Sequence, residues 1–203
     1  MSSENPIPIP PGLVGLFGGA FDPPHNGHVA LIREALLQLS LRKLLVVVTG
    51  IPPHKDIESS ADERLSFAEL AFSEIEGVEV SQVELNRPGI SYTLDTVKWA
   101  YEEYGETIFL IGTDQFLRFP SWHKPEEILE FSRLVVATRP GFDREVVQST
   151  LAEISCPDRV YFLETPEIPV SSYEIRRRIG LGYSIEGLVP DSVAYGLSEG
   201  DSN

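Results

Sequence analysis

Residues 13–29 read LVGLFGGAFDPPHNGHV, and this stretch decides the fold. It opens on a short apolar run, residues 13–17, that halts at Gly18-Gly19. An apolar run without alternation, closed by paired glycines, reads as a buried strand entering a tight turn. Beyond the loop, Val29, Ala30, Ile32, Ala35, Leu36, Leu37 and Leu39 recur with helical spacing. Strand, glycine turn and helix make the first part of a strand–helix–strand unit. Residues 44–48 supply the next strand, a continuous run rich in Val and Leu of the kind a parallel sheet buries on both faces. Further along, the pattern predicts helices over 62–75, 93–104, 125–131, 143–154 and 172–179. It predicts strands over 78–83, 107–111, 134–138 and 160–163, and a terminal turn over 191–196. Strands alternating with helices through short loops give an α/β domain with a parallel sheet.

A chain of 203 residues suits one such domain. Residues 1–11, MSSENPIPIPP, form a Pro-rich arm without helical pattern. Residues 12–197 are read as the single domain and 198–203 as a short tail. Sixteen Lys and Arg against 31 Asp and Glu leave a net charge of −15. So acidic a chain is poorly suited to track nucleic-acid backbone or to lie on an anionic membrane, so neither is expected as a partner. One Cys excludes an intrachain disulfide framework and a cysteine-based metal site. With no secretory pattern at the start, a cytoplasmic location is expected. A homo-oligomer stays open.

The loop after the first strand lies where open α/β sheets bind ligands, outside the carboxyl ends of the strands. Its glycines let backbone approach a bound group closely. The helix that follows directs its unpaired N–H groups and positive dipole end to the same place, a ready anion site. His25 and His28, three residues apart, share one side of that helix start and can donate to phosphate oxygens. The spacing is not the G-x-G-x-x-G of dinucleotide binders, and the two histidines lack a zinc-site pattern. Near the C-terminus, Ser171 and Glu174 have capping-box spacing before an apolar helix, which makes a second helix N-terminus with Ser172 and Arg176 beside it. Arg177 and Arg178 read as a solvated face. Asp114 follows a strand through Gly112, where a carboxylate can accept from ribose hydroxyls or cap the next turn. Trp122, between Ser121 and His123 and two residues past Pro120, is poorly placed for a core residue and well placed to stack on a planar ring. Thr93 is the expected N-cap of the helix over 93–104.

Gly18-Gly19-x-Phe21-x-Pro23-x-His25-x-Gly27-His28 resembles the signature of the nucleotidyltransferase superfamily with the H-x-G-H motif. Val170-Ser171-Ser172-Tyr173-Glu174-Ile175-Arg176 is similar to that superfamily's second signature, Ile-Ser-Ser-Thr-x-Ile-Arg. Further marks resemble its nicotinate mononucleotide adenylyltransferase branch. They are Pro52-Pro53-His54-Lys55, Ser91-Tyr92-Thr93-Leu94-Asp95-Thr96, Ile111-Gly112-Thr113-Asp114, Trp122, and Thr138-Arg139-Pro140-Gly141. The resemblance spans roughly residues 12–197 in order and implies a Rossmann-like, doubly wound, mostly parallel sheet with helices on both faces. It implies ATP contacts from Gly18, Gly19, Phe21, His25, His28, Gly112, Asp114, Ser171, Ser172 and Arg176, with His25, His28 and Arg176 catalytic. It implies nicotinate mononucleotide contacts from His54, Lys55, Tyr92, Thr93, Trp122 and Arg139. Mg²⁺ would accompany ATP, held by phosphate oxygens and water, so no protein ligand to the metal is expected. Tyr173 stands where the family has Thr, and a phenol cannot place its hydroxyl where Thr would.

The two signatures do not separate this activity from transfer to nicotinamide mononucleotide or phosphopantetheine, or from a nucleotide-binding regulator without activity. Trp122 and the Tyr92-Thr93 segment favour a pyridine substrate. Residues 58–84 hold eight acids (Glu58, Asp62, Glu63, Glu69, Glu74, Glu76, Glu79, Glu84) against Arg64 alone. The charge distribution therefore predicts an acidic shell around one positive cleft.

Overall fold

The structure, a computed structural model, describes residues 8–53, 57–138, 143–166 and 168–200. Elements follow one another as β1 (Val14–Gly19), α1 (Asn26–Gln38), β2 (Lys43–Val48), α2 (Ala61–Phe72), β3 (Val78–Ser81), α3 (Thr93–Tyr104) and β4 (Thr107–Gly112). Next come α4 (Thr113–Phe116), a 3-10 turn (Phe119–Ser121), α5 (Pro125–Phe131), β5 (Ser132–Thr138), α6 (Arg144–Ala152), a second 3-10 turn (Pro157–Arg159), β6 (Val160–Glu164), α7 (Ser172–Gly180) and α8 (Asp191–Gly200).

The strands form a six-stranded sheet in the order β3-β2-β1-β4-β5-β6. Every pairing is parallel, so the sheet is wholly rather than mostly parallel. Leu44, Leu45, Val46, Val47 and Val48 are all buried, because their side chains alternate between two covered faces. One face carries Leu45, Val47, Phe109, Ile111 and Leu134 against α3 and α5. The other carries Leu44, Val46, Ile108, Leu110 and Val135 against α1 and α2. A smaller cluster of Ile175, Val189 and Val193 seats the C-terminal helices.

The expected strands and helices occur, with shifted ends. β1 runs on through both glycines, and α1 starts at Asn26, ahead of its first apolar residue. The last element is a ten-residue helix rather than a turn: Val193 is fully buried, and α8 packs on α2. Ile9, within the Pro-rich arm, is half-buried against the core. No helix among the described residues is long and apolar enough to cross a membrane.

Candidate active site

Strand order reverses direction between β1 and β4, so the loops after these two neighbours flank a crevice at the carboxyl edge of the sheet. His25 is the N-cap of α1. Its Nδ1 accepts from the His28 backbone N–H at 3.3 Å, and His28 Nδ1 accepts from the His25 N–H at 3.2 Å. The two imidazoles thus form a reciprocal cap, and their rings stack 3.6 Å apart, 15° from parallel. Because each Nδ1 is an acceptor, the geometry assigns the proton of each neutral ring to Nε2. Phe21 supports the pair edge-on, 5.2 Å from His28, and its own buried ring packs on Phe72. Gly19 is required by this packing, since a Cβ there would stand 2.8 Å from the Phe21 ring. Gly27 lies close under His25, where a Cβ would fall 3.1 Å from Nδ1.

The C-terminal signature folds back onto this loop. Ser172 Oγ donates to the Pro23 carbonyl at 2.8 Å. Arg176 donates to the Asp22 carbonyl at 2.5 Å, and its Nε lies 2.8 Å from Glu58 Oε1. Asn26 donates through its side chain to the Gly187 carbonyl at 2.8 Å, fastening the same corner. Ser171 caps α7 by accepting from Glu174 N–H at 3.2 Å. The expected capping box is only half formed, because the Glu174 carboxylate turns to Arg177 and Arg178 instead. Arg177 and Arg178 pair with it on an exposed face, as solvated surface charges do. Tyr173 is 69% exposed.

Asp22 is buried beneath Arg176. Burial pushes its carboxyl pKa up, but the Ser59 hydroxyl, the Glu58 and Ser59 amides and the Arg176 charge outweigh this and hold it below the usual value. Arg64 is 2% exposed and donates to the carbonyls of Ala20 (3.1 Å), Thr49 (2.6 Å) and Gly50 (3.3 Å). It therefore staples the loop after β1 to the loop after β2.

At the end of β4, Gly112 is the N-cap of α4, and Asp114 is exposed in its first turn. A Cβ at Gly112 would meet nothing within 4 Å, so no neighbour in the described chain requires glycine there. Thr93 is not an N-cap; Tyr92 holds that position without a side-chain cap bond, and Thr93 is the first helical residue. The Tyr92 ring lies 4.4 Å from His123. Trp122 is half-buried against Phe119 at 5.5 Å and edge-on to Phe109 at 6.3 Å, so part of its surface belongs to the core after all. Phe109 lies 3.7 Å from where a Gly18 Cβ would be, which links the Trp122 corner to the glycine loop. His54, Lys55 and Arg139 fall outside the described residues.

The structure therefore gathers Gly18, Gly19, Phe21, His25 and His28 with Ser172 and Arg176 of α7 around the loop after β1, sets Gly112 and Asp114 at the end of the neighbouring β4, and brings Tyr92 to the Trp122–His123 corner. Sequence reasoning missed Asp22, Glu58 and Arg64 as parts of this region, and gave His123 only as a neighbour of Trp122. Two signals were readable: an acid inside the glycine loop, and one arginine within a run of acids.

Residues 16–178 match the Cytidylyltransferase-like family model. A probable nicotinate-nucleotide adenylyltransferase of Geobacillus thermodenitrificans is 36% identical over 192 residues, covering 93% of this chain and 84% of that protein. The nicotinate-nucleotide adenylyltransferase of Bacillus subtilis is 35% identical over 184 residues, covering 89% and 92%. Among solved structures, Plasmodium falciparum nicotinic acid mononucleotide adenylyltransferase complexed with NaAD superposes with a TM-score of 0.73 at 18% identity, covering 93% of this chain and 96% of that one. At that identity the likeness bears on the fold.

Proposed function

Since the chain belongs to the nicotinate-nucleotide adenylyltransferase family, we propose that it transfers the adenylyl group of ATP to nicotinate mononucleotide, forming deamido-NAD and pyrophosphate in NAD biosynthesis. The observation that carries this reading is the docking of the second signature on the first, through Ser172 to Pro23 and Arg176 to Asp22, at the reversal of strand order.

A phosphate oxygen of the mononucleotide attacks the α-phosphorus of ATP in line. The bond to the bridging oxygen of the β-phosphate breaks, and pyrophosphate leaves. The substrate is its own nucleophile, so catalysis reduces to positioning two anions and stabilising transition-state charge. His25 and His28 offer Nε2–H donors, the N-termini of α1 and α7 offer backbone N–H groups, and Arg176 offers a planar cation. Gly18 and Gly19 admit the triphosphate, Phe21 supports the histidine pair, Asp114 accepts from the ribose, and Gly112 leaves room beside it. Ser171 and Ser172 complete the phosphate side.

On the other side, Tyr92, Thr93 and Trp122 hold the pyridine and its carboxylate, with His54, Lys55 and Arg139 as further contacts. Mg²⁺ would arrive as the ATP complex, held by phosphate oxygens and water. The reading assigns the enzyme to the cytoplasm.

Pyrophosphate release with ATP, Mg²⁺ and nicotinate mononucleotide is the test. Turnover with this substrate, well above that with nicotinamide mononucleotide or phosphopantetheine, is expected. ATP binding without turnover on any of the three would overturn the reading in favour of a regulator.

A further inference from the structure

The geometry points to Glu84 as the residue that positions the mononucleotide end of the site, by tying the loop after β2 to the first turn of α3. This rests on the reading that Tyr92 and Thr93 line the mononucleotide subsite.

Three buried polar side chains meet between the end of β3 and α3: Glu84 (6% exposed), Ser91 (7%) and Thr96 (1%). Thr96 Oγ1 donates to Glu84 Oε1 at 2.5 Å and accepts from Arg87 at 3.0 Å. The Ser91 hydroxyl and the Gly50 amide face the same carboxylate and favour its charged form. Gly50 is pressed so closely here that a Cβ would stand 2.7 Å from the Glu84 carbonyl and 2.8 Å from Ser91 Oγ. The join is doubled by backbone: Ser91 N–H donates to the Ile51 carbonyl at 2.8 Å, Ile51 N–H donates to Ser91 Oγ at 3.3 Å, and Ile51 and Ile90 form a parallel bridge.

Three segments thus close around Glu84: Gly50, packed on its carbonyl in the loop that leads to Pro52-Pro53, Ser91 before α3, and Thr96 inside it. Tyr92 and Thr93 lie between two anchored points, Ser91 and Thr96. Burial pushes the Glu84 pKa up, while its Thr96, Arg87, Ser91 and Gly50 contacts favour the charged form. Such a group rigidifies its surroundings when every contact is made and loosens them when one is lost. Among the described residues none of its own contacts runs to the loop after β1, which reaches Gly50 only through Arg64, so its influence falls first on the mononucleotide side.

Glu84→Gln keeps the shape but turns an NH₂ toward groups that donate. It should raise KM for nicotinate mononucleotide about tenfold or more, with KM for ATP and kcat within about twofold. Equal rises in both KM values, or none, would overturn the proposal. Thr96→Ser should behave as the unaltered enzyme, and Thr96→Val should reproduce the split; this pair decides the matter even if Glu84→Gln fails to fold, and equal behaviour of the two overturns it. Tyr92→Ala separates the layers. If it leaves KM for the mononucleotide unchanged, the subsite reading falls and the proposal with it. If it raises that KM while Glu84→Gln does not, only the role of Glu84 falls.

Discussion

His28 carries two jobs on two nitrogens, and substitutions can divide them. Its Nδ1 accepts the His25 N–H as half of the reciprocal cap, and its Nε2–H is the donor assigned to the transferred phosphate. Asn at this position can place an amide oxygen near Nδ1 but has nothing where Nε2 stands; Ala has neither. Both substitutions lose the ring contacts with His25 and Phe21, about 1 kcal/mol. His28→Ala additionally loses the cap bond, roughly another 1 kcal/mol, or about 2–4 °C in Tm for a chain of this size. Activity should not follow stability. Loss of one donor to transition-state charge costs about 10²–10³ in kcat, some 3–4 kcal/mol, and both variants lose it. His28→Asn should therefore melt above His28→Ala yet be equally inactive in the pyrophosphate-release assay. His28→Asn retaining near-full kcat, or melting no higher than His28→Ala, would refute the division of labour.

Arg64→Met removes the donors to the carbonyls of Ala20, Thr49 and Gly50 at a buried site. Leaving buried carbonyls unpaired should cost about 3 kcal/mol and lower Tm by roughly 6–12 °C, with partial recovery in Arg64→Lys; an unchanged melt would sink the staple. Glu106 bridges Arg133 at 3.0 Å and Arg159 at 2.7 Å. Burial raises its pKa, but the two guanidiniums outweigh that and hold it below the usual carboxylate value. Its folded pKa lies below its unfolded one, so its contribution is full above the unfolded value, about pH 4.3, and fades as pH falls through the folded value. Urea titrations of Glu106→Gln should show a loss of about 1 kcal/mol at pH 7 that vanishes in acid, and an equal loss at both would count against the bridge.

How far the sequence reveals this molecule depends on whether a feature is local. The buried strands are legible because a parallel sheet covers both faces and leaves an unbroken apolar run, as in β2. The two signatures are legible because helix N-termini have local chemistry. The capping of α7 is readable only in part: Ser171 bonds its own turn, but Glu174 had a choice of partners and took Arg177 and Arg178. Trp122 shows the same limit, since its setting two residues past Pro120 says loop while its burial is decided by Phe109 and Phe119. Arg64 and Glu84 are the extreme cases. Each is a charged residue in a charged stretch, and only long-range packing reveals that both are buried.

The acidic run over 58–84 changes meaning for that reason. Read along the chain it is one repelling surface against two polyanionic substrates. In space its members part company. Glu63 closes the capping box of α2, Glu79 pairs with Lys43, Glu84 is locked under α3, and Glu58 reaches Arg176. Arg64, the one cation among them, sits buried where the loops after β1 and β2 meet, and its nearby acid is Asp22. Repulsion from exposed carboxylates is screened within about 8–10 Å at physiological salt, whereas buried and hydrogen-bonded charge is screened far less. On the proposed reading, what a phosphate would meet in the crevice is set less by the net −15 than by local features: two helix N-termini, Arg176 with its partners Asp22 and Glu58, and the Arg64 guanidinium behind the loops. The Arg176–Glu58 contact follows the same logic. Glu58 is 68% exposed on its side chain and Asp22 only 1%, so a phosphate competing for Arg176 can displace Glu58 into water at little cost while Asp22 keeps the guanidinium in place.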